Sequence, residues 1–270
     1  MNSKISIPLV FAMILFLNGY SRAGTVYNLG GQWSNSSNPN GAWTYREGTS
    51  ALTPVADFNF GGTIPGFTSQ AAWAPSNSVG SFLPVWLQSN QTGTPAGFQP
   101  GAVLPGDVIV HSTDNANGSG HGAANVVWTS PSAGTIDING DIWWVRNISG
   151  RANDFSISVG GTVIADGVIS DGSIYTRSNP LQFSSGVLPG DSLDNIAVSA
   201  GETVELAVTE AANAPFGEID GVNLQITESS RTTTPEPSSV ALLGFGIGSL
   251  AALRFRKSNG IRWLRERSAT

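Results

Sequence analysis

Between residues 24 and 230 apolar side chains return at every second position, and the three-to-four-residue spacing of an amphipathic helix is almost absent. Successive side chains of a strand point to opposite faces, so such alternation fits sheets with one buried and one wet face. Phe155, Ile157 and Val159 alternate up to Gly160-Gly161, a two-residue hairpin turn, and Val163 begins the return. Val204, Leu206 and Val208 repeat the pattern, as do Val222, Leu224 and Ile226. Thr135 to Val145 reads as one long strand in which Gly140 marks a bulge or bend. Further strands are predicted over Val26–Trp33, Ala56–Phe60, Asp107–His111 and Asn125–Trp128, the last two too apolar to face water on both sides. From Thr63 to Gly106 six prolines interrupt any pattern, which predicts long connections with one short strand near Ser81–Leu87. The fold class that follows is all-β: an antiparallel two-sheet β-sandwich, jelly-roll-like.

The chain has no cysteine, so this sandwich is held by core packing without disulfides, and thiol catalysis and thiolate metal sites are excluded. Charge divides the chain. Residues 24–230 carry seventeen carboxylates against four arginines and no lysine, a net of −13, whereas the whole chain stands at −6. A body of that sign supplies no counter-charge to phosphates, which argues against nucleic acid as a partner.

The basic residues gather at the two ends. Lys4, the apolar run Ile5–Leu17 and the small-x-small Ser21-Arg22-Ala23 together form a signal peptide over residues 1–23, an N-terminal helix cut by signal peptidase before Gly24. At the other end stand Pro235-Glu236-Pro237, then fourteen uncharged residues from Val240 to Leu253, then Arg254, Arg256 and Lys257. The prolines hold Glu236 on a stiff extended segment. The apolar run, as a helix of ~1.5 Å per residue, covers ~21 Å against a hydrocarbon core of ~30 Å, a short transmembrane helix closed by a basic stop. Residues 258–270 continue with Arg262, Trp263, Arg265 and Arg267, a basic extension suited to anionic lipid on the cytoplasmic side.

This tail resembles the PEP-CTERM sorting signal, on which exosortases act in bacteria that make exopolysaccharide. Pro235, Glu236, Pro237, Arg254, Arg256 and Lys257 match the signal's motif, and the extension past Lys257 departs from it. The resemblance implies an exosortase-type processing enzyme as partner, a secreted protein of the bacterial cell envelope or extracellular matrix, and a membrane anchor before processing. It reaches into the body. Ser37-Asn38-Pro39-Asn40-Gly41-Ala42-Trp43-Thr44-Tyr45, Val110-His111-Ser112 with Asn125–Pro131, Ala200–Val208 and Glu218–Leu224 are similar to segments of a recurrent extracellular body in PEP-CTERM proteins. That body is similar in form to carbohydrate-binding jelly rolls and carries no implied activity.

The chemistry written in the body is sparse. His111 and His121 flank a loop of turn formers containing Asp114, but no third zinc ligand stands at usable spacing and no EF-hand loop is present. No metal or cofactor is therefore expected, and Ca²⁺ in the acidic loops has no motif behind it. No carboxylate pair is marked by spacing as an acid/base couple, and no G-x-S-x-G elbow occurs, so the body is expected not to be an enzyme. Seven tryptophans remain. A flat exposed indole stacks on the C–H face of a sugar, which makes Trp33, Trp43, Trp143 and Trp144, with Arg146 close behind, the candidate carbohydrate-binding residues. Trp143 and Trp144 are adjacent on a strand and point to opposite faces; one is expected in the core, the other exposed or under a loop. The leading expectation is a non-enzymatic surface protein associated with exopolysaccharide. A structural or adhesion protein contacting other proteins, and a weakly marked polysaccharide-active enzyme, are the alternatives.

Overall fold

The computed structural model describes residues 24–76, 83–114 and 121–230. The chain divides into two compact units, Met1–Ser230 and Arg231–Thr270, and every described residue lies in the first. The expected signal peptide, the sorting residues from Pro235 to Lys257, the apolar run Val240–Leu253 and the extension 258–270 lie outside the described residues. Among the described residues no helix is long and apolar enough to cross a membrane.

The body is all-β, with fifteen strands in two antiparallel sheets and only two short 3₁₀ turns among the described residues. The first sheet contains β1 (Thr25–Asn28), β4 (Thr53–Phe58), β5 (Gln70–Ala74), β6 (Val85–Gln88), β7 (Val108–His111), β9 (Gly134–Trp144), β12 (Leu181–Gln182), β13 (Ile196–Val198) and β15 (Ile219–Ser230). Its path runs β12-β9-β15-β7-β6-β5-β4, with β1 added to β15 and β13 to β9. The second sheet is built from β2 (Trp43–Glu47), β3 (Ser50–Ala51), β8 (Ala124–Thr129), β10 (Ala152–Val159), β11 (Thr162–Ser170) and β14 (Thr203–Glu210), in the order β11-β10-β14-β8-β2-β3.

The alternating segments fold as the alternation dictates. On β10 Phe155 and Ile157 are buried, while Asp154, Ser156 and Ser158 stay partly exposed. On β14 Val204, Leu206 and Val208 point the same inward way. The turn at Gly160-Gly161 has φ of 57° and 83°, left-handed values that a glycine pair adopts without strain. The long strand β9 pairs with β15 over eleven positions, and Gly140 sits at φ 152° where a Cβ would meet the Asn223 carbonyl oxygen at 2.1 Å. Close backbone approach, rather than a bulge in this pairing, explains that glycine.

Two regions differ most from the sequence expectation. The stretch Thr63–Gly106 supplies two strands, β5 and β6, instead of one. Both are buried almost throughout, because this part of the first sheet is covered on each face. One face meets the second sheet through a core that includes Trp43, Trp73, Trp86, Trp128, Trp144, Phe155 and Leu206. The opposite face is capped by the connections on either side of β5 and β6, whose Phe60, Ile64, Phe67, Phe98 and Val103 pack with Trp143, Val145 and Ile109. The opening segment is the other difference: it pairs only over Thr25–Asn28, and turns occupy Gly30–Gln32 where a strand to Trp33 was expected.

The second sheet keeps an outward face, and cross-strand register orders it. One row reads Thr209–Asp154–Val168, the next Ala207–Ser156–Asp166. These side chains are short, so the sheet surface is depressed along β10. Gly167 between them faces inward, where a Cβ would stand 2.6 Å from the Phe155 ring.

Candidate functional site

The tryptophans named from the sequence take up core positions. Trp43 and Trp143 are each 1 % exposed and Trp144 is 5 % exposed. Each indole N–H is used internally: Trp43 donates to Gln32 Oε1 at 2.9 Å, Trp143 to the Ala102 carbonyl at 2.8 Å, Trp144 to the Ser173 carbonyl at 2.9 Å. The opposed directions of Trp143 and Trp144 are as expected, but both faces of their strand are covered, so neither indole offers a surface to a sugar ring. Trp33 is half-buried, its ring 4.6 Å from that of Tyr45 and its N–H donated to Asn35 Oδ1. Of the four it alone keeps open surface, and the structure does not bring them together as one platform. Arg146 is 7 % exposed, and its pKa is lowered to about 10 by burial and then by the neighbouring Arg151. A guanidinium so enclosed does not reach an external hydroxyl.

Arg146 belongs instead to a buried polar cluster at one end of the sandwich. Asp114, fully buried, accepts from Arg151 Nη1 at 3.2 Å and from the Gly217 N–H at 3.0 Å. Arg151 also donates to the Gly217 carbonyl and lies 5.2 Å from the centre of the Phe216 ring. Asn153 ties the next layer, donating to the Glu218 carbonyl at 2.9 Å and to Asp220 Oδ2 at 2.7 Å, and accepting from Ser112 and from the Glu218 N–H. Glu218 Oε1 accepts the N–H groups of Arg146 and Ile219. Gly217 is required there, because a Cβ would stand 2.0 Å from Ser112 Oγ.

Burial sets the protonation of this cluster. It pushes Asp220 and Glu218 well above the usual carboxylate range, with Asp220 adding to the effect on Glu218. Burial and then Arg151 hold His111 well below its ordinary value, so that imidazole is neutral near neutrality. A carboxyl whose pKa is raised by folding contributes full stability below its unfolded value of ~4 and loses it as pH rises through the folded value. His111 acts in the opposite direction below about pH 6.5, but equally in wild type and variant. Asp220→Asn is therefore expected to gain stability relative to wild type as pH rises above ~4. Urea unfolding of both proteins from pH 4 to pH 8 checks this; a difference that is flat or shrinks with pH would contradict it.

The two histidines take separate partners. His111 Nε2 lies 3.6 Å from Asp114 Oδ1, whereas His121 Nδ1 meets Glu47 Oε1 at 2.7 Å on the surface. Among the described residues no group of three or more His, Cys, Asp or Glu side chains is placed to hold a metal ion.

Solvent reaches the second sheet in two adjoining concavities. The larger, about 360 Å³, is floored by Asp154, Val168 and Ser170 and walled by the loop 211–215. That loop is fixed at its base, where the Ala211 N–H donates to the Ala152 carbonyl and the Ala152 N–H to that of Phe216. The Ala212 backbone N–H holds the Asp154 carboxylate. The second concavity, about 330 Å³, shares Asp154 and Val168 and adds Ser156, Asp166 and Thr209. Glu218 and Asp220 line neither. The sequence pointed to none of this floor, because Ser156 and Asp166 read there only as the polar half of an alternation.

Comparison with known proteins bears on the tail more than on the body. The family model of the PEP-CTERM protein-sorting motif matches residues 233–257. The chain thus carries that motif, which implies an exosortase-sorted, secreted, envelope-associated protein. No curated protein matches the chain. Among solved structures, CBM51-2 in complex with GlcNAc and INT domains from Clostridium perfringens ZmpB is 12% identical, with a TM-score of 0.28 over 45% of this chain and 22% of that one. The catalytic domain of a GH87 α-1,3-glucanase in complex with tetrasaccharides is 10% identical, with a TM-score of 0.27 over 80% of this chain and 31% of that one. The chain spans less than a third of either, and likeness at this level carries no functional argument.

Proposed function

We propose that this chain, a carrier of the PEP-CTERM sorting motif, is a non-enzymatic surface protein whose β-sandwich associates with extracellular polysaccharide. The sorting motif at residues 233–257 is the observation that carries the reading, since it directs the body to the envelope where such polymers lie. On this reading residues 1–23 act as a signal peptide, and Val240–Leu253 with its basic stop holds the chain in the membrane until processing. The sandwich is of the jelly-roll kind, consistent with a chain that passes from sheet to sheet at β7, β8, β9 and β10 in turn.

Two features of the body support the polymer-associating role. An open depression runs along β10 with apolar and hydrogen-bonding groups side by side, the mixture that a sugar ring presents in return. The close carboxyl pair with the most perturbed protonation, Glu218 and Asp220, is fully buried and bonded inward, which favours a structural over a catalytic use. Fractionation of the producing cells tests the reading. The protein is expected in the polysaccharide layer of wild-type cells and free in the medium of cells that make no polysaccharide. An unchanged distribution between the two strains would contradict it.

A further inference from the structure

We infer that the two adjoining concavities on the outer face of the second sheet form one binding groove for a glycan that carries free amino groups. The inference rests on the polysaccharide-associating reading above and names the ligand chemistry and its place. Each concavity falls in the size range of small-ligand sites, and together they extend along β10 past Asp154 and Ser156. Two residues of strand advance about 7 Å, so the groove is laid out for a chain of rings rather than a single one.

The walls specify a ring with two characters. Val168, 55 % exposed on the floor, and Pro215 at the side give apolar surface for C–H faces. Asn213 and Ser170 stand beside them as hydrogen-bonding partners for hydroxyls.

Charge then selects among glycans. Asp154 and Asp166 face outward on neighbouring rows of the same sheet face, and Asp154 is raised by partial burial and then by Asp166. Among the described residues no compensating cation is at hand. Arg151 lines the larger concavity but is spent on Asp114, Arg146 is buried in the cluster with Glu218 and lines neither concavity, Arg177 is paired with Asp107, and Arg46 lies on β2, beyond β14 and β8. Lysine is missing from residues 24–230 altogether. A uronic-acid polymer entering this groove meets like charge, whereas an ammonium placed between Asp154 and Asp166 relieves their repulsion and gains charge-assisted hydrogen bonds.

Calorimetric titration of the exported chain with three probes tests this: a glucosamine tetramer, its N-acetylated counterpart and a galacturonate tetramer. The glucosamine tetramer is expected to bind at least about tenfold more tightly than the other two, the scale of one charge-assisted bond. Asp154→Asn should weaken it by about tenfold or more. Ala212→Trp, on an exposed wall residue whose backbone N–H to Asp154 is retained, should abolish it by filling the groove. Equal binding of all three probes, or binding unmoved by both substitutions, overturns the groove assignment. No binding of the glucosamine tetramer by a protein that still co-sediments with the native polysaccharide overturns the ligand assignment while the broader reading stands. Failure to associate with any glycan, native polymer included, removes both.

Discussion

Trp143→Ala should lower the stability of the body by about 3–5 kcal/mol, the range for deleting a large buried aromatic. The indole is 1 % exposed within the same buried cluster as Phe60, Phe67 and Phe98, its N–H is committed to the Ala102 carbonyl, and Gly221 beneath leaves no room for a Cβ. The backbone at Gly221 cannot move in to close the space, because β15 is paired there with both β9 and β7. Urea unfolding with an unchanged m-value would register the loss as a shift in midpoint. Glycan binding by the fraction that remains folded should be unaltered. That outcome separates a packing tryptophan from a sugar-stacking one, for which binding falls and stability holds.

The second large effect concerns Arg151. Arg151→Met leaves the carboxylate of Asp114 buried without its cation, a change that costs about 3–5 kcal/mol where such pairs have been broken. Burial, with Glu210 adding to it, holds the Asp114 carboxyl above its ordinary value, although the Arg151 guanidinium and the Gly217 N–H pull it back. Asp114→Asn added to Arg151→Met should recover part of the loss, since an amide oxygen still accepts the Gly217 N–H and no charge remains stranded. A double-mutant cycle by urea unfolding reads the coupling. Strictly additive losses would mean that the two residues do not act as a pair.

The readable part of this fold was the part with one wet face. On β10 and β14, on the Gly134–Asn139 part of β9 and on β15 from Val222 onward, inward apolar residues alternate with polar ones, so periodicity alone located these strands within a few residues. On β5 and β6 the signal vanished for a physical reason: with both faces of the sheet covered, Trp73, Val85, Trp86 and Leu87 are all buried and no alternation survives. The prolines around them then read as loop. The same hidden second core took Trp143 out of the sugar-binding set: of the adjacent pair it is the one that points away from the second sheet, and there Phe60, Ile64, Phe67, Phe98 and Val103 stand where solvent would otherwise be. The buried charge cluster had no local signature either. Asp114, Arg151, Asn153, Glu218 and Asp220 come from three separate stretches, and a charged residue in a sequence is by default assigned to the surface. The tail was legible because its information is linear: a stiff acidic triplet, an apolar run and a basic stop act in that order without tertiary context.

The most direct measurement of the whole account is equilibrium depletion of the purified, exported protein from solution by the producing organism's own polysaccharide. Saturable depletion is predicted, weakened by Ala212→Trp and retained by the folded fraction of Trp143→Ala. A well-folded protein that stays in solution at every polysaccharide concentration would contradict it, and leave the sandwich as a body that is sorted to the envelope without holding the polymer there.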